Sequence, residues 1–114
     1  MKQVRKYEIY LQTKASDAPN DFRTEEFLSC DNYREGMKEA KRLSAMCPFK
    51  SRGGIEIVNI ELVCEVCNED EDGNLWDFEA IFYEEFTNGQ HIGRYGPGPD
   101  GEWRLHPVRR KARK

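Results

Sequence analysis

The stretch that decides the fold is VNIELVCEV, Val58 to Val66. Val58, Ile60, Leu62, Cys64 and Val66 fall on one side of a two-residue alternation, and Asn59, Glu61 and Glu65 fall on the other. Successive side chains of a strand point to opposite faces, so the pattern is that of a strand with one apolar and one polar face. Gly53-Gly54 precedes it, and Ile55 and Ile57 are out of phase with it, which predicts a bend or bulge near Ile57. Downstream, Asn68 to Asn74 is a polar connection. Leu75 to Phe86 then alternates again, with Trp76, Phe78, Ala80 and Phe82 opposite Asp77 and Glu79. The two runs read as a long antiparallel hairpin.

Working outward, Asn88-Gly89 is a two-residue hairpin turn that predicts a short strand around His91 to Tyr95. Gly96-Pro97-Gly98-Pro99-Asp100-Gly101 opposes regular structure, after which Trp103 to Val108 adds an edge strand or docks Trp103. On the N-terminal side, Val4 to Thr13 places Tyr7, Ile9 and Leu11 on one face and Lys6, Glu8, Tyr10 and Gln12 on the other. The turn formers Ser16 to Asp21 separate it from a second strand, Arg23 to Ser29, centred on Phe27 and Leu28. Asn32, with Glu35 three residues later, resembles a capping box in front of a helix from Tyr33 to Met46. Tyr33, Met37, Ala40, Leu43 or Ser44, and Cys47 form its inward stripe, and Pro48 ends it. The order ββα followed by three or four strands predicts an α+β fold, an antiparallel sheet of about four to six strands with one amphipathic helix on one face.

The chain has 114 residues, 38% of them hydrophobic and 11% aromatic, which suits one core and one domain over residues 1–108. Residues 109–114 form a basic tail, expected to be disordered. No apolar run is long enough to cross a bilayer and the first residues lack a secretory h-region, so a cytoplasmic protein with reduced thiols at Cys30, Cys47, Cys64 and Cys67 is expected.

Charge is distributed unevenly. Five of the 18 Lys and Arg lie in the last six residues, which leaves 13 against 21 Asp and Glu in residues 1–108, a formal charge of −8. Between Gly53 and Gly93 there are eleven acids and no Lys or Arg. Most of them alternate away from the apolar set, so the outer face of the hairpin is expected to be continuously negative. Such a surface steers a basic partner, including a protein that itself binds nucleic acid. The alternative use of the same acids is solvation of a sheet face.

Three kinds of site are legible. The first is a protein-binding face carrying Glu61, Glu65, Asp77, Glu79 and Glu84, with Tyr10 or Tyr83 as aromatic anchors. The second is a metal site. Asn68, Asp70, Asp72, Gly73 and Glu79 resemble the EF-hand calcium loop over residues 68–79, with Asn68 where that family has Asp and strand-like flanks where it has helices. Cys64 and Cys67 form a C-x-x-C that, with further ligands, suits zinc; in a regular strand, however, the two point to opposite faces. The third is nucleic-acid binding by the helix and by Arg109, Arg110, Lys111, Arg113 and Lys114.

His91 and His106 sit in no motif with a Ser or Cys nucleophile, and the glycines at 93, 96 and 98 do not open a helix. No catalytic residue and no organic cofactor is therefore expected. The leading expectation is a non-enzymatic binding or regulatory module that meets a protein partner through the acidic sheet face. Its size and charge also suit an accessory protein of a mobile element or phage that acts on a nucleic-acid-binding protein.

Overall fold

The computed structural model describes residues 2–14 and 22–108. The expected turn at Ser16 to Asp21 and the basic tail, Arg109 to Lys114, lie outside the described residues. The elements are β1 (Lys2–Lys14), β2 (Phe22–Cys30), α1 (Tyr33–Met46), β3 (Phe49–Lys50), β4 (Glu56–Ile57), β5 (Asn59–Glu69), β6 (Leu75–Thr87), β7 (Gln90–Pro97) and β8 (Trp103–Pro107). Six of the strands form one antiparallel sheet in the order β2-β1-β5-β6-β7-β8, and β3 pairs with β4 beside it. This is the α+β architecture that the alternation predicts. Among the described residues no helix is long and apolar enough to cross a membrane.

The helix begins and ends where its sequence signals stand. The Asn32 side chain accepts a hydrogen bond from the Glu35 N–H at 2.9 Å, satisfying one of the unpaired donors of the first turn. Cys47 is already extended, with ψ 143°, ahead of Pro48. One helical face packs on the sheet through Gly36, Ala40, Leu43 and Ser44. Gly36 brings the helix close to the sheet, since a Cβ there would stand 2.8 Å from Leu62 Cδ1 and the Leu62 side chain would have to shift.

The core lies between that face and the sheet. Ile9, Leu11, Ile60, Leu62 and Phe86 come from the strands, Ala40 and Leu43 from α1 and Ile57 from β4, while Tyr33, Met37 and Cys47 pack at the edge. Burying a side chain of this size stabilises by about 1.5–3 kcal/mol, so these few residues supply most of the driving force. The expected bend at Ile57 separates two strands: β4 turns off to pair with β3, and the Val58 N–H donates to the Gln12 carbonyl at 2.8 Å as β5 begins.

Asn88 (φ 50°) and Gly89 (φ 79°) make the tight turn between β6 and β7. That turn docks on the helix, since the Gly89 N–H donates to Ser44 Oγ at 2.9 Å. Two expectations fail in detail. Gly96 and Pro97 belong to β7, because an antiparallel partner, β8, is available to them. The alternation from Trp76 to Phe82 is broken: Cys64 pairs with Phe82 but Glu65 with Ala80, leaving Ile81 as an extra residue. Asp77 has φ 61°, at a second irregularity. Phe82 therefore faces the helix, while Ala80 is on the opposite face.

Candidate functional site

The helix covers one face of the sheet and leaves the other open. Cross-strand register sets out the open face row by row. In one row Phe27, Tyr10, Glu61, Glu85, Gly93 and Pro107 follow one another from β2 to β8. In the next stand Glu8, Val63, Tyr83, Tyr95 and Leu105. Glu65, opposite Lys6 on β1, opens a third.

Two aromatic groups border the acids. On β6, β7 and β8, Tyr83 stacks on Tyr95 at 6.3 Å, and Trp103 meets both rings edge-on or tilted, at 5.8 and 5.6 Å. On the other side Tyr10 lies 5.9 Å from Phe27. A depression of about 740 Å³ opens over this face, with Glu61 and Glu85 in its floor and Tyr83, Tyr95, Leu105 and Phe22 among its walls. Phe27 is 61% exposed and Leu105 42%, so apolar surface borders carboxylates in the open.

The acids are crowded and partly dehydrated. Glu61 is 8% exposed and Glu65 9%. The Gln12 amide donates to Glu61 Oε1, and Asn59 Nδ2 donates to Gln12 Oε1 at 2.9 Å. The Tyr10 hydroxyl donates to Glu65 Oε1 at 3.3 Å. Burial, with the carboxyl of Glu61 in hydrogen-bonding reach, pushes Glu85 up to about 9. Burial and the charges of Glu65 and Glu8 push Tyr10 up to about 12. Burial first, then Glu61, Glu65 and Glu85, raise Tyr83, and burial with Glu65 raises Glu8. Among the described residues no ion pair involves Glu61, Glu65 or Glu85.

Of the residues expected on the acidic face, Glu61, Glu65, Tyr10 and Tyr83 come together there. Glu84 does not. It alternates with Phe82 and Phe86 on the helix side, is fully buried, and accepts from Arg94 Nε at 3.1 Å and Nη2 at 2.9 Å, and from the Tyr33 hydroxyl. His91 Nε2 lies 3.3 Å away. Burial raises its pKa, but the bonds from Arg94 and Tyr33 and the charges of Arg94 and His91 outweigh burial and leave it below the usual carboxylate range. Glu79 is exposed and stands opposite Val66 on the helix-side face, and Asp77 is exposed at the irregularity of β6. The acids of the open face thus form a compact group at the end of the β5–β6 pair remote from its connecting turn, rather than a stripe along its whole length. Glu85, Gln12, Tyr95 and Trp103 are the members that sequence reasoning missed.

The metal candidates do not converge. Cys64 stands across from Tyr7 on the helix side and Cys67 across from Val4 on the open side, and both are buried. All four cysteines are free thiols, and burial raises Cys64, which opposes the thiolate a metal needs. In the loop, Asp70 Oδ1 accepts from the N–H groups of Asp72 and Asn74, both at 2.9 Å, so this carboxylate closes its own turn. Glu79 lies well inside β6, away from that turn. Among the described residues no three His, Cys, Asp or Glu side chains are grouped to hold a metal ion. His106 Nε2 lies 3.2 Å from the Gly96 carbonyl, and among the described residues neither histidine is hydrogen-bonded to a Ser or Cys. No protein-family model, no curated protein and no solved structure matches the chain.

Proposed function

We propose that the protein is a non-enzymatic binding module whose open sheet face takes a basic segment of a protein partner. One observation carries this reading: Glu61, Glu65 and Glu85 sit in and beside a depression walled by Tyr and Leu side chains, with no ion pair of their own among the described residues. A Lys or Arg side chain from outside would supply the missing charge. Its methylene stem would lie against Tyr83 and Tyr95, and aromatic faces attract such cations. Fully solvated acids need no partner; acids that are buried, as Glu61 and Glu65 are, or half-buried, as Glu85 is, gain from one.

The chemistry selects a cationic partner over nucleic acid, whose phosphates this face would repel. The basic surface of α1, with Arg34, Lys38 and Lys41 exposed, lies on the other side of the sheet. The test is titration of the full chain with fluorescent peptides of equal length, one Lys- and Arg-rich, one Glu-rich, and with a DNA duplex. Binding of the basic peptide alone, weakened at least tenfold in a Glu61→Gln, Glu65→Gln double variant, is the expected result. Undiminished binding by that variant would remove the open face from consideration.

A further inference from the structure

The chain carries its own candidate occupant for this face. We infer that the basic segment Arg109 to Lys114 docks in cis over the Glu61 and Glu85 row and competes there with an outside partner. The inference rests on the open face being a site for basic segments, and adds a regulation to it.

Three observations carry it. The first is position. Pro107 stands opposite Gly93, Gly93 opposite Glu85, and Glu85 opposite Glu61, so β8 delivers the chain to the same row that holds the two acids. The Val108 N–H donates to the Ile92 carbonyl at 3.1 Å, which fixes where the segment starts.

The second is reach. Neighbouring strands are about 4.8 Å apart, which places Glu85 about 10 Å and Glu61 about 14 Å from β8. Six extended residues span at most about 20 Å, enough to cross both acids.

The third is charge. Residues 109–114 hold five Lys and Arg and no acid, whereas the strand residues next to them in the row are uncharged: Pro107 and Gly93. The first acids the segment meets are Glu85 and Glu61. A segment tethered this closely acts at about millimolar effective concentration, so even a weak cis contact, with a dissociation constant of about 0.1 mM, would raise an outside partner's apparent constant about tenfold.

The experiment uses the full chain and, as probe, a labelled peptide of sequence Arg-Arg-Lys-Ala-Arg-Lys. Its affinity is measured for the unaltered chain and for one in which Arg109, Arg110, Lys111, Arg113 and Lys114 are all replaced by Ser. The expected result is at least tenfold tighter binding by the Ser-substituted chain, a gain lost when Glu61→Gln and Glu85→Gln are added. Equal affinities for the two chains, with binding intact, overturn the cis contact and leave the open face as a site. Binding by neither chain overturns the site itself. Native mass spectrometry completes the test: monomers at all concentrations support docking in cis, whereas dimers that vanish on Ser substitution would assign the segment to a second copy and overturn it.

Discussion

Glu84 and Glu85 are neighbours in sequence, and the pleat of β6 sends them to opposite faces of one sheet with opposite outcomes. On the helix side, Glu84 meets the guanidinium of Arg94, the Tyr33 hydroxyl and His91, and its carboxyl is held below the ordinary range. On the open side, burial first, and then the neighbouring acid Glu61, pushes Glu85 far above that range. The covered face has brought its own counter-charge; the open face has not. A buried carboxylate with its cation in place is part of the scaffold. One that must keep a proton for want of a cation is poised to exchange that proton for a cationic ligand.

The largest effect should come from removing the counter-charge on the covered face. Arg94→Ala leaves Glu84 buried without its main partner, and loss of one member of a fully buried pair costs about 3–5 kcal/mol. Because Arg94 is 47% exposed and Tyr33 and His91 remain beside Glu84, about 2–3 kcal/mol is expected, still a large part of a small domain's stability. Because Glu84 is held below the ordinary glutamate value, the stability it contributes is present above the unfolded pKa and lost as pH falls through the lower folded value. Urea midpoints should therefore separate the variant from the parent most at pH 7 and converge in acid. A loss under 1 kcal/mol at pH 7 would mean that Arg94 does not hold Glu84.

Glu85→Gln should do the reverse. A raised folded pKa contributes stability that is full below the unfolded value of 4.5 and declines as pH climbs toward about 9, since the unfolded carboxyl ionises first. The amide cannot ionise, so the variant should be more stable than the parent at pH 8, by about 1–2 kcal/mol, with the advantage gone at pH 4. A destabilised variant at pH 8 would break the comparison, because the two acids would then have the same standing.

The comparison also marks where the sequence stops being readable. The helix was legible to its ends because Asn32, Glu35 and Pro48 act locally, and β5 was legible because its two faces differ in polarity along an unbroken alternation. Alternation also made the shared face of Glu61, Glu65, Tyr10 and Tyr83 legible. It failed on β6. The extra residue at Ile81 exists only relative to the strand beside it, and period-two counting along one strand cannot register it. Glu84 could be assigned to its face only from Phe82 and Phe86, and its partners come from α1 and β7, 51 and 10 residues away. Tyr83, Tyr95 and Trp103 meet across three strands, an encounter that register alone decides.

The most discriminating effect is in the pH dependence of binding. If a basic segment takes the place of the proton at Glu85, each binding event below about pH 9 must release that proton, and affinity should rise with pH. The groups facing Glu85 are Glu61 and Glu65 on β5, Glu8, Tyr10 and Gln12 on β1, Tyr83 beside it, and Tyr95 on β7, whereas the nearest residues of β8, Leu105 and Pro107, are uncharged. None of these is a cation able to reverse the sign, and Lys6 stands two rows away, opposite Glu65. An Arg-rich peptide, whose own charge is constant over this range, should bind up to tenfold more tightly per pH unit between pH 6 and pH 8, the limit set by release of one proton. In Glu85→Gln the slope should flatten while binding persists. A slope of the same size in that variant would place the exchanged proton elsewhere, and a flat profile in the parent would make Glu85 a bystander in an otherwise electrostatic contact.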